Sequence, residues 1–181
     1  MKMYYIHGYL SEPNSTKGML LKEKLGVVPV KYRDCKPEEL VISDCIKRIK
    51  DEIKDEKEVV LIGSSLGGFL AARTALDTPN VKHLILFNPA IIPPDYNLEK
   101  ITDLPAQIAK DMQDKNLFEK KITAEIVILV GKNDDVVPSS WVISFAKAQD
   151  ATIKLLDDDH RLSKNMHKLP EIIKDILDKK H

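Results

Sequence analysis

Gly63, Ser65 and Gly67 stand two residues apart, with the apolar run 59–62 before them and an alanine-rich stretch after them. An apolar strand that enters Gly-x-Ser-x-Gly and leaves directly into a helix puts the central serine on a strained turn, hydroxyl outward. Glycine is required on either side because side chains there would collide with the neighbouring strand and helix. The spacing selects Ser65 over Ser64 as a nucleophile. The N–H groups at the start of the following helix, Leu66 first, face a developing negative charge. A phosphate-binding loop fits less well. Gly63, Gly67 and Gly68 do not give Gly-x-Gly-x-x-Gly, and no Gly-Lys-Ser/Thr follows.

A serine hydroxyl is a poor nucleophile at neutral pH and needs a base within hydrogen-bond reach, itself oriented by an acid. Later strand ends supply both, in the chain order serine, acid, histidine. The run 126–131 leads into Asp134 and Asp135, either of which has the type and place of the acid. The run 152–156 leads into Asp157, Asp158, Asp159 and His160. Taken singly, the aspartates are ordinary turn formers and His160 an ordinary loop histidine; three correct types at three strand ends, in order, point to acyl transfer. A second N–H for an oxyanion is expected from the loop after the first strand, His7-Gly8-Tyr9. Gly8 would permit a tight turn there and Tyr9 would donate. His7 precedes the serine, so it reads as a structural or pocket-lining residue and His160 as the base.

These residues need a scaffold that delivers them to one place. Short runs rich in Val, Ile and Tyr at 3–7, 27–32, 59–63, 83–87, 126–131 and 152–156 alternate with segments of helical period. Leu40/Val41, Cys45, Ile49 and Ile53 form one such segment; Leu169, Ile172/Ile173 and Ile176/Leu177 form another. Met19, Leu20, Leu21 and Leu25 read as core positions of a third. Strand–helix alternation predicts an α/β chain, with a mainly parallel six-stranded sheet and helices on both faces. The connection 88–124 is longer than the others and opens with three prolines, which forbid a regular helix there. Ligands bind beyond the carboxyl ends of parallel strands, so Asn88 joins His7 and Gly8 as a candidate pocket residue, and 91–121 is either a small cover or a longer crossover.

The 181 residues suit one domain, read as 1–181. Lys+Arg 28 against Asp+Glu 28 leaves no net charge, which argues against a nucleic-acid partner. No apolar run approaches the length of a membrane helix, and the start leaves no room for a signal peptide; a soluble, cytoplasmic chain is expected. Cys35 and Cys45 lack metal-ligand spacing and read as reduced thiols. Asp157–Asp159 lacks the spaced ligands of a cation site and reads as a solvated loop, Trp141 as packing, and residues 174–181 as a solvated lysine-rich helix end. No metal or organic cofactor is called for.

Taken together, His-Gly after the first strand, Gly-Ser-Ser-Leu-Gly-Gly, Gly131-x-x-Asp134-x-Val-Val-Pro and Asp159-His160-Arg161-Leu162 resemble the α/β-hydrolase superfamily. More narrowly, Tyr-Ile-His-Gly-Tyr-Leu-Ser-Glu-Pro-Asn-Ser and Phe87-Asn88-Pro89-Ala90 resemble the compact YqiA-like serine esterases. The resemblance covers about residues 3–165. It implies strand order 2-1-3-4-5-6, Asp134 as the acid with Asp135 as fallback, and His160 as the base; carboxylic esters or thioesters are the expected substrates, with small acyl groups because 91–121 offers only a short cover. The chain departs from that group at the aspartate-rich approach to His160. The other reading is a ligand-binding or protein-interaction module with little turnover, since a fold does not fix a function.

Overall fold

The computed structural model describes residues 1–179; Lys180 and His181, the end of the lysine-rich tail, lie outside the described residues. One sheet, in the order β2-β1-β3-β4-β5-β6, contains β1 (Lys2–Ile6), β2 (Val28–Pro29), β3 (Val59–Ser64), β4 (Val81–Phe87), β5 (Glu125–Gly131) and β6 (Thr152–Leu156). Every neighbouring pair is parallel. All carboxyl ends therefore lie on one rim.

Side chains of the central strands alternate between two apolar clusters. Leu61, Leu84, Leu86, Ile126 and Ile128 face the larger one, shared with α2 (Ile42–Ile53), α3 (Leu66–Leu76), α4 (Ala106–Met112) and α6 (Ser139–Gln149). Val60, Ile62, Ile85, Phe87 and Leu129 face the smaller one, shared with α1 (Thr16–Leu25) and α7 (Leu169–Asp178). Burial on both faces explains why these strands read as unbroken apolar runs.

The edges differ from the expectation. The run 27–32 pairs as a strand only at Val28–Pro29, because Pro29 has no N–H to donate; Val30 N–H still reaches Tyr5 O at 2.9 Å. β6 has a neighbour on one side only, and it leaves Ile153 and Leu155 exposed. Met19, read as core, is exposed, whereas Leu21 is fully buried. In α2 the buried stripe is Ile42, Cys45, Ile49 and Ile53; Leu40 is buried just before it and Val41 is exposed. α6 begins at Ser139 and has no side-chain cap.

In the long connection, Ile91, Ile92, Ile108 and Met112 are buried in the larger cluster, with Leu117 of the single-turn α5 (Asn116–Glu119). Tyr96 meets Trp141 edge-on at 4.9 Å between ring centroids. Trp141 packs under this segment, as its position suggested.

The turn from β3 into α3 rests on two glycines. A Cβ on Gly67 would run into the carbonyl oxygens of Ile6 and His7 at the end of β1, and one on Gly63 would strike the backbone of α3. Neither obstacle is a movable side chain. Gly67→Ala should therefore lower stability by roughly 3 kcal/mol or more, read as a shift of the urea midpoint; an unchanged midpoint would show that α3 can move away from β1.

Candidate active site

Ser65 sits between β3 and α3 with φ 54° and ψ −118°, a conformation that costs on the order of 1–3 kcal/mol and persists only where the surroundings enforce it. Here β4 and its exit enforce it. Ser65 N–H donates to Phe87 O at 3.0 Å, and Ser65 O accepts from Ala90 N at 3.0 Å and Gly68 N at 2.9 Å. The hydroxyl is thereby held at the carboxyl rim.

The structure brings His160 and Asp134 to it. His160 Nε2 lies 3.1 Å from Ser65 Oγ, and Nδ1 lies 2.9 Å from Asp134 Oδ2. Because the carboxylate only accepts, Nδ1 carries the proton and Nε2 is left as the acceptor for the serine hydroxyl. Asp134 Oδ1 accepts from Val136 N at 2.8 Å and Val137 N at 3.0 Å, which fixes the plane of the carboxyl group. The Asp134 side chain is only 6% exposed and that of His160 17%, so this hydrogen bond is largely shielded from water. Asp135 is exposed and plays no part in this contact.

The β1 exit abuts the serine. A Cβ on Gly8 would stand 3.5 Å from Ser65 Cβ, which is ordinary contact, and Gly8 does not have a positive φ. The expected need for glycine in a tight turn is thus not met at this position. Among the described residues, the N–H groups of Tyr9 and Leu66 have no hydrogen-bond acceptor. Arg33 Nη2 grips this loop through Tyr9 O at 2.9 Å and Ser11 O at 3.0 Å. Tyr32 OH donates to His7 O at 3.0 Å and Gly8 O at 3.2 Å.

His7 and Asn88, both candidate pocket residues, are buried supports instead. His7 stacks on Tyr32 at 4.3 Å and donates from Nδ1 to Gly8 O at 2.8 Å; burial pushes its imidazole down to about 4. Asn88 is wholly enclosed. Its hydrogen bonds run to β5 and to the His160 loop.

The aspartate-rich loop is not simply solvated. Asp157 pairs with Lys164 on the surface, but Asp158 is buried and accepts from the N–H groups of Asp159, Lys164 and Asn165 and from Asn165 Nδ2. Burial pushes its carboxyl up, and the Asn165 amide and those backbone donors more than offset this, leaving it below the usual range. Asp159 accepts from Arg161 N and Ser163 N, both at 3.0 Å, and from Ser163 Oγ. The two carboxylates fold the loop that aims His160. Tyr32, Arg33 and Asp158 were not among the sequence candidates; Tyr32 closes the apolar run 27–32 and Arg33 follows it, their only signal.

Among the described residues there is no group of three His, Cys, Asp or Glu side chains that could hold a metal ion, and no helix long and apolar enough to cross a membrane.

A family model described as "Uncharacterised protein family (UPF0227)" matches residues 2–176. No curated protein matches the chain significantly. Several solved structures superpose over nearly all of it. Alpha/beta hydrolase domain-containing protein 10 from mouse gives TM-score 0.78 at 22% identity, covering 98% of this chain and 90% of that one. Est1E from Butyrivibrio proteoclasticus gives 0.76 at 19% identity, covering 97% and 86%. The monoacylglycerol lipase of Paleococcus ferrophilus gives 0.76 at 15%, covering 97% and 93%. At these identities the likeness establishes an α/β-hydrolase fold.

The depressed His7 value carries a pH dependence. The unfolded imidazole titrates near ~6.5, so the unfolded chain binds the extra proton first. This contribution to stability is complete above ~6.5 and declines as pH falls towards 4, by up to about 3 kcal/mol. Urea melts from pH 7 to 4, with an NMR titration of the His7 ring, should show the decline and a ring still neutral at pH 5.5.

Proposed function

The chain belongs to the UPF0227 family, the YqiA-like group its motifs resemble, and from the geometry at its rim we propose that it is a serine hydrolase of small carboxylic esters or thioesters. One observation carries the reading: an unbroken relay from Asp134 Oδ2 to His160 Nδ1 at 2.9 Å and from His160 Nε2 to Ser65 Oγ at 3.1 Å.

In this mechanism, Ser65 Oγ forms a bond to the carbonyl carbon as its proton passes to His160 Nε2. The carbonyl π pair moves onto oxygen, and the N–H groups of Leu66 and Tyr9 donate hydrogen bonds to that oxyanion. Asp134 keeps the imidazole in the required tautomer and stabilises the imidazolium. Collapse of the intermediate breaks the bond to the alcohol or thiol, which takes the proton from Nε2. Water, deprotonated by the same nitrogen, then releases the acid and restores the serine.

The preorganised donors, and the shielded Asp134 carboxylate once the imidazolium forms, supply the electrostatic stabilisation on which such reactions chiefly depend. The fixed turn supplies orientation. Small acyl groups fit a chain whose 91–121 segment commits Ile91, Ile92, Ile108, Met112 and Leu117 to the core, leaving little to enclose a long chain.

Hydrolysis of p-nitrophenyl acetate and butyrate tests this. Ser65→Ala and His160→Ala should each lower kcat by roughly 10⁴-fold or more. Asp134→Asn should fall by a similar order, with Asp135→Asn close to wild type. A Ser65→Ala variant as active as the parent would overturn the mechanism.

A further inference from the structure

Asn88 lies directly after β4, wholly buried, with φ 41°, a region that asparagine tolerates better than most residues. Its backbone N–H donates to Leu129 O of β5 at 3.0 Å. Its side-chain oxygen accepts from Gly131 N at 2.9 Å, where β5 ends three residues before Asp134. Its side-chain nitrogen donates to His160 O at 2.8 Å and to Asp159 O at 3.2 Å. The preceding residue, Phe87, accepts from Ser65 N. One planar amide therefore meets the exit of β5 and the backbone of the histidine itself, one residue away from the contact that pins the serine.

The surroundings leave little slack. A Cβ on Gly131 would meet Asp158 O at 2.7 Å and collide with Asp159 O, so β5 and the His160 loop pass in backbone contact where the amide joins them. The chemistry also specifies asparagine. The site needs one acceptor and two donors on a short stem: an aspartate offers two acceptors and would set negative oxygen against two carbonyls, and an alanine or glycine leaves a buried N–H and two carbonyls without it.

The geometry points to Asn88 as a positioning residue that sets the separation of the Asp134 and His160 loops relative to Ser65, without touching the reacting atoms. This deepens the hydrolase reading and rests on it for its kinetic consequence; the structural consequence stands apart. Asn88→Gly is the informative variant, because glycine adopts φ 41° freely and the change removes only the amide. Asn88→Asp is its isosteric companion.

Three measurements apply to each variant that melts cooperatively: kcat and KM on p-nitrophenyl acetate, and the low-field Nδ1–H resonance of His160 bonded to Asp134, assigned by its loss in His160→Gln. We expect kcat to fall roughly 10²-fold, the scale of a misplacement near 1 Å. KM should stay within about twofold and the low-field resonance should weaken or vanish. An unchanged kcat and resonance in folded Asn88→Gly would overturn the positioning role while leaving the hydrolase reading intact. Were the wild type inactive, that reading would fail, and the resonance alone would decide the role of Asn88. Hydrogen exchange in the unmutated protein covers variants that do not fold: the Asn88 side-chain protons and the Gly131 amide should exchange as slowly as the central strands, and rapid exchange of either would refute the brace.

Discussion

In a parallel sheet every strand delivers its following loop to the same rim, and the chemistry inferred for this protein depends on that constraint. Ser65, Asp134 and His160 follow β3, β5 and β6; β4 lies between β3 and β5, and β6 is beside β5. Their side chains nevertheless meet at the rim, where Asn88, directly after β4, bonds both to Gly131 at the end of β5 and to the His160 backbone. The central strands are buried on both faces, so their relative positions are set by close packing. A hydrogen-bonded relay needs placement to a few tenths of an ångström, and a core of this kind provides the rigid base for it.

Strain and bracing occur together at this rim. Ser65 and Asn88 both adopt positive φ, and the Ser65 backbone is held by Phe87 and Ala90 on either side of Asn88. Tyr32 and Arg33 hold the β1 exit; Asp158 and Asp159 fold the loop carrying His160. Tyr32 and Asp158 are buried and hydrogen-bonded to the backbone they hold; Arg33 Nη2 is bonded to the loop while its buried Nε has no partner. Buried polar contacts of this kind favour one arrangement, and loss of a partner leaves a costly unpaired group.

The parts of this arrangement legible in sequence are those with a local cause. Gly63, Ser65 and Gly67 announce the turn because the collisions that exclude larger residues occur within a few residues of the serine or at the adjoining strand. The order of serine, acid and histidine was legible from strand ends. The choice between Asp134 and Asp135 was not legible from turn chemistry alone, since it depends on which carboxylate the Val136 and Val137 amides orient towards His160. Equally hidden were the burial of Asp158 within an acidic run, the stacking of His7 on Tyr32, and the exposure of Met19. Each is decided by an element distant in the chain, and a proline at the sheet edge shortened β2 where apolar content suggested a longer strand.

The proposed mechanism requires the imidazole to activate one particular hydroxyl. Reaction with a fluorophosphonate, followed by proteolysis and mass spectrometry, examines it without any assumption about substrate. The account predicts one adduct, on Ser65, forming at least about 10³-fold more slowly when His160 is alanine. Modification of another serine, or equal rates in the parent and His160→Ala, would contradict it.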